Sequence, residues 1–231
     1  MGATTGTISK KKLFMKALIR LILGMVLMGA FVFVSAGTLE YLNGWLFMVT
    51  LFSPMLFSFA YLMRKDPELL EKRMNLREKQ AEQKKFQLLG IPFYFLPLII
   101  SGLDFRYGWS DVPLWLSAVF CITVLLGYAL FIMVLKENSY ASRIVEIQEG
   151  QKVIDTGLYS HVRHPMYSAV ILMFAFYPLV LGSYYGMIPA LFMPILLMYR
   201  AVNEEKMLIE GLPGYDEYIK KVKYRIIPHI W

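Results

Sequence analysis

Four apolar runs, at residues 21–36, 44–63, 86–103 and 112–135, limit what this chain can become more than any other feature. Each approaches the ~20 residues a helix needs to cross the hydrocarbon core of a bilayer. In that core every backbone N–H and C=O must be satisfied within its own segment, so such runs predict a bundle of membrane helices. The composition agrees: 57% of the 231 residues are hydrophobic and only 18% are charged, which leaves little sequence for a soluble mass outside the bundle. The formal charge of +7 would suit a nucleic-acid partner if the cations shared a soluble face with aromatic residues. They fall between the apolar runs instead, and no nucleic-acid partner is expected. The single cysteine, Cys121, lies inside the fourth run, which excludes a disulfide framework and a cysteine-based metal site. It reads as a small buried apolar residue.

Lys and Arg set the orientation. With a cytoplasmic N-terminus, the inside segments carry 5 (residues 1–20), 8 (64–85), 4 (136–165) and 6 (199–231) of the 24 cations, and only Arg106 lies outside. Cations flanking membrane helices stay on the cytoplasmic side, so this distribution predicts about six passes with both termini inside. For a bacterial chain that is the inner membrane. The last two passes form a short hairpin at 166–198, broken at the GSYYG of residues 182–186; with arms of about 16 residues it spans only partly or lies tilted. The first run has a rival reading as a signal peptide, because Val34 and Ala36 after a basic start satisfy a small-residue cleavage rule. The mixed-charge loop 64–85 carries a partial helical stripe, Leu69, Leu70, Met74 and Leu76. It reads as a solvated or interfacial helix, with a lid over a site as the sharper alternative. The expected division is therefore 1–135, four membrane helices, and 136–231, a functional region.

Within that region, residues 157–167 read GLYSHVRHPMY, a dense polar cluster at the mouth of the hairpin. Ionisable groups next to hydrocarbon are costly, so the cluster marks a site. Pro165 disfavours helix at His164 and permits one to begin there, which puts His164 at a helix mouth whose free N–H groups favour an anion. One hairpin later, Arg200 and Glu204 stand four apart on a helix ahead of Glu205; an ion pair at a helix end and a ligand-binding role are both open. His161 reads as an exposed turn histidine. Tyr215, Tyr218 and Arg225 read as an amphipathic helix packed on the bundle.

Three motifs occur here in order: GLYSHVRHPMY; then Arg200, Glu204, Glu205 and Leu208; then Gly214, Tyr215, Tyr218, Val222, Arg225 and Pro228. Together they resemble the isoprenylcysteine carboxyl methyltransferase and phospholipid methyltransferase superfamily, over roughly the last hundred residues. The resemblance implies an all-α membrane enzyme that uses S-adenosylmethionine in a cytoplasmic C-terminal pocket, and no Rossmann-type glycine-rich turn contradicts it. Carried over by position, it nominates Tyr159, His164, Pro165, Tyr167, Glu204 and Glu205 as cofactor contacts. Arg163, His164 and Arg200 are nominated as catalytic, and no metal is implied. One departure from the pattern is Ala169, where the family often has glycine. A methyl group there would narrow any backbone approach to the cofactor.

The residue types suit that cofactor: carboxylates for its sulfonium, ammonium and ribose, and a cation or donor for its carboxylate. The implied partners are the bilayer and a lipid or lipophilic small molecule; no protein partner is expected. Two other classes remain open. A membrane transporter would place charges in mid-helix, and here they lie in loops and at ends. A nicotinamide-dependent membrane reductase of sterol-reductase-like architecture is the enzymatic rival.

Overall fold

The computed structural model describes residues 9–74 and 81–231, so Leu76 of the loop stripe lies outside the described residues. Helices α1 (Lys10–Ala36), α2 (Leu42–Lys65), α4 (Ala81–Tyr107) and α5 (Leu114–Glu137) correspond to the four apolar runs. All four are long and apolar enough to cross a membrane, so this is an integral membrane protein, and no strand occurs among the described residues. Each helix extends past its apolar run into polar sequence. Helix α1 begins eleven residues before its run, at Lys10, where the Ser9 hydroxyl accepts the N–H of Lys12. Helix α2 runs unbroken through Pro54, and Ser58 donates to the Pro54 carbonyl at 2.8 Å.

The loop after α2 contains α3 (Pro67–Met74), started by the Asp66 side chain accepting the N–H of Leu69 at 2.9 Å. Leu69 and Leu70 are buried with Leu13, Ala17, Leu62 and Leu135. Arg20 donates to the Met74 carbonyl at the other end. The helix is thus fixed onto the bundle rather than solvated.

The last apolar hairpin is more broken than its sequence predicts. Its first arm is α6 (Pro165–Phe174) followed by the single turn α7 (Tyr177–Val180), and its second is α8 (Met187–Ala190) leading into α9 (Phe192–Gly211). The turn falls within the predicted break, with Ser183 donating its N–H to the Pro178 carbonyl at 2.9 Å. Ten residues of α6 rise about 15 Å, half of the hydrocarbon core. The arm survives because it lies inside the bundle against α5. Gly127 of α5 permits that approach: a Cβ there would lie 3.0 Å from the Ala169 carbonyl oxygen and 2.8 Å from Met173 Cγ. Ala169 is fully buried, its carbonyl oxygen lies in this contact, and it does not line the cavity described below. Helix α9 continues well beyond its apolar stretch and carries the glutamate pair on regular helix, before the short α10 (Tyr215–Lys221).

Candidate functional site

The segment 138–156 is irregular, and it ends on a 3-10 turn, Gly157–Ser160, that delivers the polar cluster. Glu137 at the end of α5 holds this turn: Thr156 Oγ1 donates to it at 2.7 Å and the Leu158 N–H at 3.3 Å. Gly157 has φ +49° and sits against the same carboxylate, which a Cβ would strike. Gly157→Ala is therefore expected to cost about 1–3 kcal/mol from backbone strain, more if Glu137 is displaced. It should appear as a lower unfolding temperature of the detergent-solubilised protein.

After the turn, the backbone pairs with the C-terminal tail. The N–H groups of Arg163 and His164 donate to the carbonyls of Tyr224 and Arg225 at 2.9 and 2.7 Å. Pro165 then opens α6 with His164 as its N-cap, as the sequence predicts. Behind this junction lies Glu205, only 4% exposed. Its Oε1 accepts from Arg163 Nε at 2.6 Å and lies 3.2 Å from His164 Nε2, and its Oε2 accepts from Arg225 Nε at 2.8 Å. Arg163, also buried, further donates to the carbonyls of Val222 and Lys223. Burial pushes the Glu205 carboxyl up, but hydrogen bonds from His164, Arg163 and Arg225 outweigh it and hold the group at about 2. An ionised carboxylate only accepts, so His164 carries a proton on Nε2 and its Nδ1 is the nitrogen able to act as a base.

A second chain of bonds sits in front of the first. Arg200 Nε donates to the Tyr167 hydroxyl at 2.9 Å, and that hydroxyl donates to Glu204. The expected Arg200–Glu204 neighbours on α9 are thus joined through a tyrosine from α6. The rings of Tyr167 and His164 stack at 5.4 Å, and the Arg200 guanidinium lies 5.0 Å over the Phe86 ring. Tyr159 accepts from Asn138 Nδ2 at 2.8 Å, and its carbonyl accepts from the Tyr218 hydroxyl. Burial, with Glu204 nearby, pushes the Tyr159 hydroxyl up to about 12, so it stays protonated.

Many of these groups line a cavity of about 850 Å³. Of the nominated residues, Tyr159, Arg163, His164, Tyr167, Arg200 and Glu204 line it; Pro165 and Glu205 do not. The two glutamates, adjacent in sequence, point to different tasks: Glu204 faces the cavity and Glu205 braces the wall behind it. His161 is exposed, its Nδ1 3.1 Å from the Gly157 carbonyl, and takes no part. Three residues outside the nominated set belong here. Arg225 completes the brace. Tyr215 and Tyr218 pack with Leu208, Leu212 and Val222, as an amphipathic helix should, yet both also line the cavity. The Tyr215 hydroxyl is buried without a hydrogen-bond partner among the described residues. Its position in the third motif was the signal; helical periodicity alone reads only its packing.

Residues 118–210, from α5 to the end of α9, match the model of the isoprenylcysteine carboxyl methyltransferase (ICMT) family. The matched segment contains every nominated residue and stops before Tyr215 and Arg225. A search of curated proteins gave no match.

Proposed function

We propose that this chain, isoprenylcysteine carboxyl methyltransferase-like over its catalytic segment, is an S-adenosylmethionine-dependent methyltransferase acting on a lipophilic acceptor at the membrane–cytosol boundary. The observation that carries this reading is the mixed lining of the cavity. Glu204, Arg200, His164 and Tyr159 line it together with Gly24, Met28, Leu51, Phe52 and Met55 of the membrane helices. A pocket lined by both polar and lipid-like groups suits a charged cofactor meeting an acceptor from the bilayer.

The residues present fit the cofactor. Its volume is well within a cavity of about 850 Å³, which lies in the usual range for ligand sites. Glu204 faces the cavity as the carboxylate for a sulfonium or ammonium, and Arg200 offers a cation for a carboxylate. The unpartnered Tyr215 hydroxyl supplies a further donor and acceptor for ribose or base. When bound, S-adenosylmethionine supplies an activated methyl group on a sulfonium whose charge is lost on transfer. The chain's own contribution is alignment and exclusion of water. Leu70 and Met74 of α3 roof the cavity, and the Glu205 brace keeps His164 in register. With a carboxylate acceptor no base is required. With an amine or thiol, His164 Nδ1 takes the proton and Glu205 stabilises the imidazolium.

The same reading places 136–231 as the cofactor region on the cytoplasmic side of about six passes, following the distribution of Lys and Arg. The test is binding of labelled S-adenosylmethionine to the purified protein, beside binding of a reduced nicotinamide cofactor. Membranes are then incubated with the labelled methyl donor and extracted. Binding of the methyl donor alone, with label in the organic phase, is the expected result. Absence of binding at millimolar concentration would overturn the methyltransferase reading, and label confined to water-soluble product would overturn the lipophilic acceptor.

A further inference from the structure

Two guanidiniums that line the cavity are answered by no carboxylate among the described residues. Arg73, in the last turn of α3, donates from Nη1 to the Ala141 carbonyl at 2.8 Å, and its guanidinium lies 4.7 Å over the Phe131 ring. Arg143 enters the same cavity from the irregular segment. Among the described residues neither guanidinium forms an ion pair. The lining carboxylates are Glu146 and Glu204, and Glu204 is held by Tyr167. Burial, with Arg143 close by, pushes the Arg73 guanidinium down to about 10. Burial also lowers Arg143, and Arg200 and Arg20 add to the effect.

Like charges gathered where the dielectric is low repel strongly, and an anion seated among them removes that repulsion. The surroundings say which kind of anion fits. Phe131 lies under Arg73, and Tyr128, one turn away on α5, lines the same cavity as the apolar Phe52 and Met55. A charged head at the arginines therefore has apolar side chains in the same cavity for a hydrocarbon chain. We propose that Arg73 and Arg143 form an anion subsite, separate from the cofactor contacts, that seats the carboxylate or phosphate head of an amphiphilic acceptor. Arg73 lies outside the family-matched residues 118–210, so α3 is an element through which this chain sets its own acceptor preference. The inference rests on reading the apolar lining as the acceptor's.

The test uses the full chain in neutral detergent and measures dissociation constants for dodecanoate, dodecyl phosphate and dodecanol, and separately for S-adenosylmethionine. At least one of the two anions is expected to bind about tenfold or more tighter than dodecanol, the margin of a charge-assisted contact. Arg73→Gln and Arg143→Gln should each cut that margin and together erase it; Arg73→Lys should keep part of it. Affinity for S-adenosylmethionine should not change in any of them. Tighter dodecanoate supports a carboxylate head, tighter dodecyl phosphate a phospholipid head. Equal binding of anions and dodecanol, or a margin intact in the double variant, overturns the subsite. Loss of S-adenosylmethionine affinity in Arg143→Gln also overturns it, because the arginine would then serve the cofactor. If Arg73→Gln does not fold, Arg143→Gln carries the test, since its side chain makes no hydrogen bond or ion pair among the described residues. Anion binding without any binding of S-adenosylmethionine would sink the methyltransferase reading while leaving the subsite standing.

Discussion

Glu205→Gln is expected to lower stability by about 3–5 kcal/mol, the range found when one partner of a buried charge pair is removed. The substitution preserves shape and removes the charge that Arg163, His164 and Arg225 share. Arg163 is 5% exposed, so its charge has no access to bulk water once the carboxylate is gone, although the Val222 and Lys223 carbonyls still accept from it. The amide nitrogen of glutamine is moreover a donor facing donors. Arg225→Met, at a position whose side chain is 34% exposed, should cost less, because Arg163 and His164 keep their partner. Thermal unfolding in detergent compares the two. The same carboxylate predicts an acid dependence. Its pKa is depressed in the folded protein, from an ordinary value of 4.5 to about 2, so its contribution is complete above about pH 5 and is lost as pH falls through about 2. The difference corresponds to roughly 3 kcal/mol. Wild type should lose this increment between those limits, while Glu205→Gln should show a flatter profile there. Equal acid sensitivity of the two proteins would remove Glu205 as the brace.

Glu204→Gln, one residue away, is expected to behave in the opposite manner. Glu204 lines the cavity and accepts from Tyr167; a glutamine oxygen still accepts that bond, so the unfolding temperature should hold nearly constant. Cofactor affinity should instead fall by about tenfold to a hundredfold, the loss of one charge-assisted contact to a cation. His164→Ala should weaken cofactor binding too, but with a measurable loss of stability, since it removes one of the three partners of Glu205 and the ring stacked on Tyr167. Titrating labelled S-adenosylmethionine into both variants reads the affinities directly. Ordinary affinity in both, with intact membrane insertion, would retire these residues as the cofactor site.

The two glutamates show how far the chain could be read in advance. The pattern of Glu204 and Glu205 marks both as important, and a helix of 3.6 residues per turn sets successive side chains about 100° apart. Only the neighbouring elements decide which direction meets the cavity and which meets Arg163 and Arg225. Arg200 and Glu204 were legible as neighbours, but the Tyr167 hydroxyl between them was not, because it arrives from α6, 33 residues earlier than Arg200. Ala169 was marked as a departure from the family pattern near the cofactor; it is fully buried with its carbonyl against Gly127 of α5 and does not line the cavity.

By itself the sequence determined the membrane class, the four long helices, the turn within residues 182–186 and the family resemblance of the segment that carries the proposed site. Each of these follows from local properties: run length against bilayer thickness, proline and glycine geometry, and motif spacing. The tertiary structure decided what no local property encodes. It broke the last hairpin into short helices sheltered by α5, made α3 a fixed roof carrying Arg73, and drew the tail through Arg225 behind Glu205. It thereby gave two adjacent carboxylates different environments. The reason is that hydrogen-bonded charge in a low-dielectric interior depends on groups far apart in the chain, and their meeting is a property of the fold.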